Sequence, residues 1–140
     1  MKPIIQQLLK ELETGEQDMK LSRLLDIGDY LRHPYPHEEG YAEVVQQLII
    51  LLTREKDPDV RTLFFRDIAD AYMYRIDLSG INFDPLIHGL DKKDPRFIGN
   101  VLYVLSLTYN EKYKKLISKY LTHPDEGVRY EAQDALNHLP

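Results

Sequence analysis

The stretch LRHPYPHEEGY, residues 31–41, gathers His33, His37, Glu38 and Glu39 within a few positions of one another. Imidazole nitrogens and carboxylate oxygens are ordinary ligands for zinc or iron, and a His-Glu pair holds such an ion when the backbone fixes both side chains. Here Pro34, Pro36 and Gly40 interrupt any helix, so the donors would be poorly preorganised. A solvated connector is the stronger reading. His88 and His123 have no sequence partner that would form a proton relay. No glycine-rich phosphate loop, serine-centred elbow or zinc-finger spacing occurs. The chain has no Cys, which excludes a disulfide framework, a thiolate metal site and a Cys nucleophile. The residue types therefore point away from an enzyme, and no cofactor or metal is expected.

What positions these residues follows from composition and periodicity. The 140 residues are 43% hydrophobic and 29% charged, enough to bury a core as a single domain spanning 1–140. The longest apolar run, LIILL at 48–52, is far short of the roughly 20 residues a membrane helix needs. The first residues also lack the charge and hydrophobic pattern of a secretion signal. A cytoplasmic protein is expected. The net charge of −5 argues against sequence-independent nucleic-acid binding, where phosphate neutralisation supplies most of the affinity. It favours a basic partner.

Almost every segment has a helical period, and no alternating run bounded by hairpin turns predicts a strand. Three second helices start alike, at KDPDVRTLFF (56–65), KDPRFIGNVL (93–102) and HPDEGVRYEA (123–132). Aligned on Val60, Phe97 and Val128, each has an Asp three residues earlier: Asp57, Asp94 and Asp125. Aspartate at that position accepts the unpaired amides of a first helical turn. Pro58 and Pro95 follow at the position where a missing N–H costs nothing. Phe64, Val101 and Ala132, then Ile68, Leu105 and Leu136, continue the buried stripe. A weaker copy starts at Asp18 and runs through Leu21, Leu25 and Gly28, so the acids recur at intervals of 39, 37 and 31 residues. First helices are expected at about 3–13, 41–55, 84–91 and 110–122. The segments 31–41 and 76–84 read as irregular links.

This pattern, an acid followed by Val-Arg and then small and leucine positions, resembles the HEAT-repeat family and its HEAT-like relatives. Asp57, Val60 and Arg61 carry the resemblance, as do Asp125, Val128, Arg129, Ala132, Ala135, Leu136 and Leu139. Where Val-Arg belongs, the third copy has Phe97-Ile98 and the first Leu21-Ser22. The resemblance implies an all-α fold, a short right-handed α-solenoid of about four stacked helical hairpins. It also implies that Arg61 and Arg129 pair between repeats. The polar face of the last helix would then act as a solvent-facing cap. Among the relatives, deoxyhypusine hydroxylase binds metal through several symmetric His-Glu pairs, whereas this chain has only His37-Glu38. DNA glycosylases of the group need a basic groove, and bilin lyases are larger.

In such folds the second helices line the concave surface. Removing the buried positions leaves Asp26, Asp29 and Tyr30 on the first, and Arg66, Asp67, Asp70 and Tyr74 on the second. Asn100 and Tyr103 remain on the third, and Tyr130, Glu131 and Asp134 on the fourth. Six acids against one free arginine, Arg66, make an acidic band set with tyrosines, whose rigid rings suit them to interfaces. The sequence is thus read as a non-catalytic protein-binding module, a monomer when free, with no nucleic-acid or membrane partner. Size and charge resemble those of bacterial immunity proteins that neutralise basic, nuclease-type toxins. The other readings are a general scaffold or adaptor and, least favoured, a metal-dependent HEAT-like enzyme.

Overall fold

The computed structural model describes residues 2–33, 40–74 and 78–140. All regular structure there is helical: α1 (Pro3–Thr14), α2 (Gln17–Arg32), α3 (Tyr41–Leu52), α4 (Pro58–Tyr74), α5 (Asp84–Ile87), α6 (Pro95–Leu107), α7 (Lys114–Ser118) and α8 (Glu126–His138), with three short 3-10 turns. The expected all-α class holds. The chain divides into two compact units, residues 1–86 and 87–140. His37, Glu38 and Glu39, the remaining ligand candidates beside His33, lie outside the described residues, as do Pro34, Pro36 and residues 76–77 of the second link.

In the first unit α1 and α2 form one hairpin across Gly15–Glu16, and α3 and α4 a second. The seam between the hairpins runs chiefly between α2 and α4, with α1 against α3 behind it. Leu24, Ile27 and Leu31 of α2 meet a core that includes Val60, Phe64, Ile68 and Ala71 of α4 and Val44, Leu48 and Leu52 of α3. Each fully buried aliphatic or aromatic side chain contributes roughly 1.5–3 kcal/mol by leaving water.

The caps follow the sequence in three of four places. The amides of Val60, Phe97 and Val128 donate to Asp57, Asp94 and Asp125 at 3.1, 2.9 and 3.0 Å. The first copy differs. The N-cap of α2 is Glu16, with no side-chain cap bond, and Asp18 lies inside the first turn. The buried stripe is Leu24, Ile27, Gly28 and Leu31, which turns Leu25 out to solvent. Reading the helix from Asp18 displaced the register by one residue, about 100° around the axis.

Two arginines at the starts of α4 and α8 hold the loops that lead into them. Arg61 Nε donates to the Glu55 carbonyl at 2.6 Å, and Arg129 Nη1 donates to the carbonyls of His123 and Pro124. Two expected helices are also shorter. Gly89, with φ of 70°, stops the 84–91 segment after α5 and starts a 3-10 turn at Leu90. Across 111–122, 3-10 turns flank the five-residue α7 while Tyr113, Ile117 and Tyr120 still face inward. The described part of the 76–84 link is irregular but tied down. Gln46 Nε2 donates to the Asn82 carbonyl at 2.9 Å, and the Asn82 amide donates to Gln46 Oε1 at 2.8 Å. Leu78, Ile81 and Phe83 are buried on either side.

Candidate functional site: acids and tyrosines of α2, α4, α6 and α8

The residues of the expected band fall on α2 and α4 in the first unit and on α6 and α8 in the second. On α2, Asp26, Asp29, Tyr30 and His33 line one open groove of about 400 Å3 together with Ile4 and Ile5 of α1. Ile4 is 67% exposed and gives the groove an apolar wall. Tyr30 packs on Tyr41 with ring centroids 5.0 Å apart, which fixes its ring. His33 Nδ1 lies 2.7 Å from the Asp29 carbonyl and 3.4 Å from its carboxylate.

These acids are partly neutralised by cations missing from the sequence reading. Arg23 pairs with Glu11 and lies 3.4 Å from Asp26. Its hydrogen bond to Glu11 holds the guanidinium pKa above its ordinary value and the Glu11 pKa below. Arg32 binds Asp70 across the α2–α4 seam at 2.9 Å. Both arginines lie on α2, three residues or fewer from an acid assigned to the band. Helical neighbours at i and i+3 could have exposed the first pairing.

Asp67 is not on the surface. Its side chain is fully buried at the α2–α4 seam, against Gly28. A Cβ on Gly28 would overlap Asp67 Oδ1 and come within 3.1 Å of Arg32 Nη1. Arg66 Nη2 lies 3.5 Å from Asp67 Oδ1, while buried Asp67 Oδ2 and Arg66 Nε have no hydrogen-bond partner among the described residues. Burial pushes the Asp67 carboxyl up to about 7, against the pull of Arg66. Arg66, the expected free cation, is therefore engaged beside a buried acid. The signal was legible. Asp67 stands seven residues after Val60, three after Phe64 and four before Ala71, all buried. Those offsets put it on the core stripe.

Beyond the seam, Met73 and Tyr74 are both more than half exposed at the end of α4.

In the second unit, α6 and α8 pack side by side. Between their N-terminal ends lies an open groove of about 390 Å3 lined by Arg96, Gly99, Asn100, Asp125, Gly127 and Glu131. Tyr103 is half-buried on α6. Tyr130 of α8 is 66% exposed, with Glu131 and Asp134 beside it on neighbouring helical positions. Glu131 lies over Gly99, its Cγ 3.4 Å from where a Cβ would stand. Partial burial and the Asp134 charge raise its pKa. His138 Nδ1 stands 3.9 Å from Asp134.

Among the described residues no group of three or more His, Cys, Asp or Glu side chains is placed to hold a metal ion. No described helix is long and apolar enough to cross a membrane. The groups present offer hydrogen bonding, charge and aromatic contact. Comparison with protein-family models, curated proteins and solved structures returns no match.

Proposed function

We propose that this chain is a non-catalytic protein-binding module of stacked, HEAT-like helical hairpins whose partner is basic. In its most concrete form it is an immunity protein that binds and neutralises a nuclease-type toxin. The observation carrying this reading is the cluster on α8. Tyr130 offers a large exposed ring, and Glu131 and Asp134 stand beside it, with Arg96 lining the groove that Glu131 borders and His138 Nδ1 3.9 Å from Asp134. An aromatic anchor flanked on one side by carboxylates suits a cationic surface, which it would both steer and discriminate. The recurring Asp caps at 57, 94 and 125 support the stacked-hairpin reading, since each starts an α-helix three residues before a buried apolar side chain.

The test is co-expression with the product of the adjacent gene. A tight complex that abolishes a nuclease activity is expected. The double variant Glu131→Lys/Asp134→Lys should weaken binding at least tenfold and flatten its salt dependence. A neighbour that is neither toxic nor bound, or a complex indifferent to Tyr130→Ala and to the charge reversal, would overturn the reading.

Exposed Met73 and Tyr74 favour one alternative, a scaffold that binds through apolar contact. Binding would then survive high salt and fail in Tyr74→Ala.

A further inference from the structure

We propose that Asp67 is a proton-operated latch between α2 and α4. As a neutral carboxyl it closes the seam against Gly28, and on ionisation it draws Arg32 away from Asp70 and loosens the contact between the two helices.

The geometry gives three reasons. Asp67 is fully buried, yet among the described residues its Oδ2 has no partner, so the site holds the carboxyl without the full set of hydrogen bonds a buried carboxylate requires. It lies against the one position of α2 where a missing Cβ lets the chain approach so closely, and any larger residue there would expel it. Its surroundings can also be rearranged. Arg32 comes from α2 and is bonded to Asp70 one helical turn beyond Asp67, with its Nη1 close to the same Gly28 position. Arg66 and Asp70 are the charged neighbours from α4 itself. On α3, which also packs against α4, Val44, Val45, Leu48, Ile49 and Leu52 are buried, and its one acid, Glu43, is exposed.

One arginine from the facing helix thus stands within reach of two acids a turn apart, the outer already satisfied and the inner not. While the inner acid is protonated, the outer pairing is uncontested. Once ionised, Asp67 becomes a buried charge whose nearest cation from α2 is Arg32, and the two acids compete for it. The position of the carboxyl, at about 7, places this exchange in the neutral range.

The device concerns the first unit and does not depend on the identity of a partner. Carboxyl-carbon NMR of the whole chain between pH 5 and 8 should show Asp67 titrating near neutrality. Amide exchange, corrected for its intrinsic pH dependence, should lose at least tenfold of protection at Leu24–Leu31 of α2 over the same range. Asp67→Asn should abolish that step, and Asp70→Asn should lower the Asp67 midpoint by releasing Arg32 and removing a like charge. An Asp67 carboxyl already ionised at pH 5, a titration that leaves α2 protection unchanged, or a step that persists in Asp67→Asn would each overturn the latch. Should Asp67→Asn fail to fold, the wild-type titration and Asp70→Asn decide it.

Discussion

The α2–α4 and α6–α8 contacts share one local chemistry: a glycine of the earlier helix lies under an acid of the later one. Their physical outcomes diverge. Over Gly28 the acid is an aspartate, and its short side chain leaves the carboxyl at the seam, sealed from water. Over Gly99 it is a glutamate, which lays methylene groups on the glycine and remains half-buried. The extra methylene lets the carboxylate stay closer to solvent while its stem covers apolar backbone. One contact is therefore a buried charge problem and the other a packing contact with a polar tip.

The largest effect that sharpens this difference is on pH-dependent stability. Between the ordinary Asp value of 3.8 and about 7, the folded chain keeps a proton that the unfolded chain has released. Folded Asp67 then binds more protons than unfolded Asp67, so stability falls as pH rises through this window and levels off above it. The displacement corresponds to at most about 4 kcal/mol. Asp67→Asn should remove the slope and leave the variant more stable than the wild type at pH 8, by on the order of 2–4 kcal/mol. Urea unfolding at pH 5 and pH 8 measures both. A wild type equally stable at both pH values would erase the contrast between the seams.

Next in size is the pair Gly28→Ala and Gly99→Ala. The first puts a methyl group into the Asp67 carboxyl and should cost roughly 1–3 kcal/mol, more than the helix propensity it gains. The second meets Glu131 Cγ at 3.4 Å, an ordinary contact, and should stabilise by about 0.4–1 kcal/mol. Thermal unfolding of the two variants should move in opposite directions.

The smallest effect is that of Glu131→Gln. Its raised pKa has the same sign as that of Asp67, so the contribution is full below the ordinary Glu range and falls as pH rises through the raised value. Solvent screens this half-open site, and the change should stay within about 0.5 kcal/mol in the same unfolding measurement.

The legible parts of the sequence were those set by local chemistry. Asp57, Asp94 and Asp125 declared three helix starts because a cap is satisfied within three residues. The stripes from Val60, Phe97 and Val128 followed from the helical period. The first copy misled because Asp18 is a good capping residue two positions past the true N-cap, Glu16, and the burial of Leu24 and Leu31 marks the actual stripe. The charge of the band misled for another reason. Arg23 and Arg32 lie on the same helix as the acids, but Arg32 is committed by the hairpin packing that brings Asp70 to it, 38 residues away. Gly28 carried an unused signal. A glycine inside a long helix costs about 1 kcal/mol and is kept where something approaches closely.

The two bonds between Gln46 and Asn82 bear on where the chain can be altered. A side-chain amide carries both a donating NH2 and an accepting oxygen, so it meets both backbone groups of Asn82 as a neighbouring strand would. Glutamate at 46 could satisfy only the N–H. The irregular link is thus fixed at one end of its turn and open at Ser79–Gly80, where both residues are exposed and a Cβ on Gly80 would touch nothing. That tip is the place to graft a reporter or an affinity tag without disturbing the seams on which the fold relies.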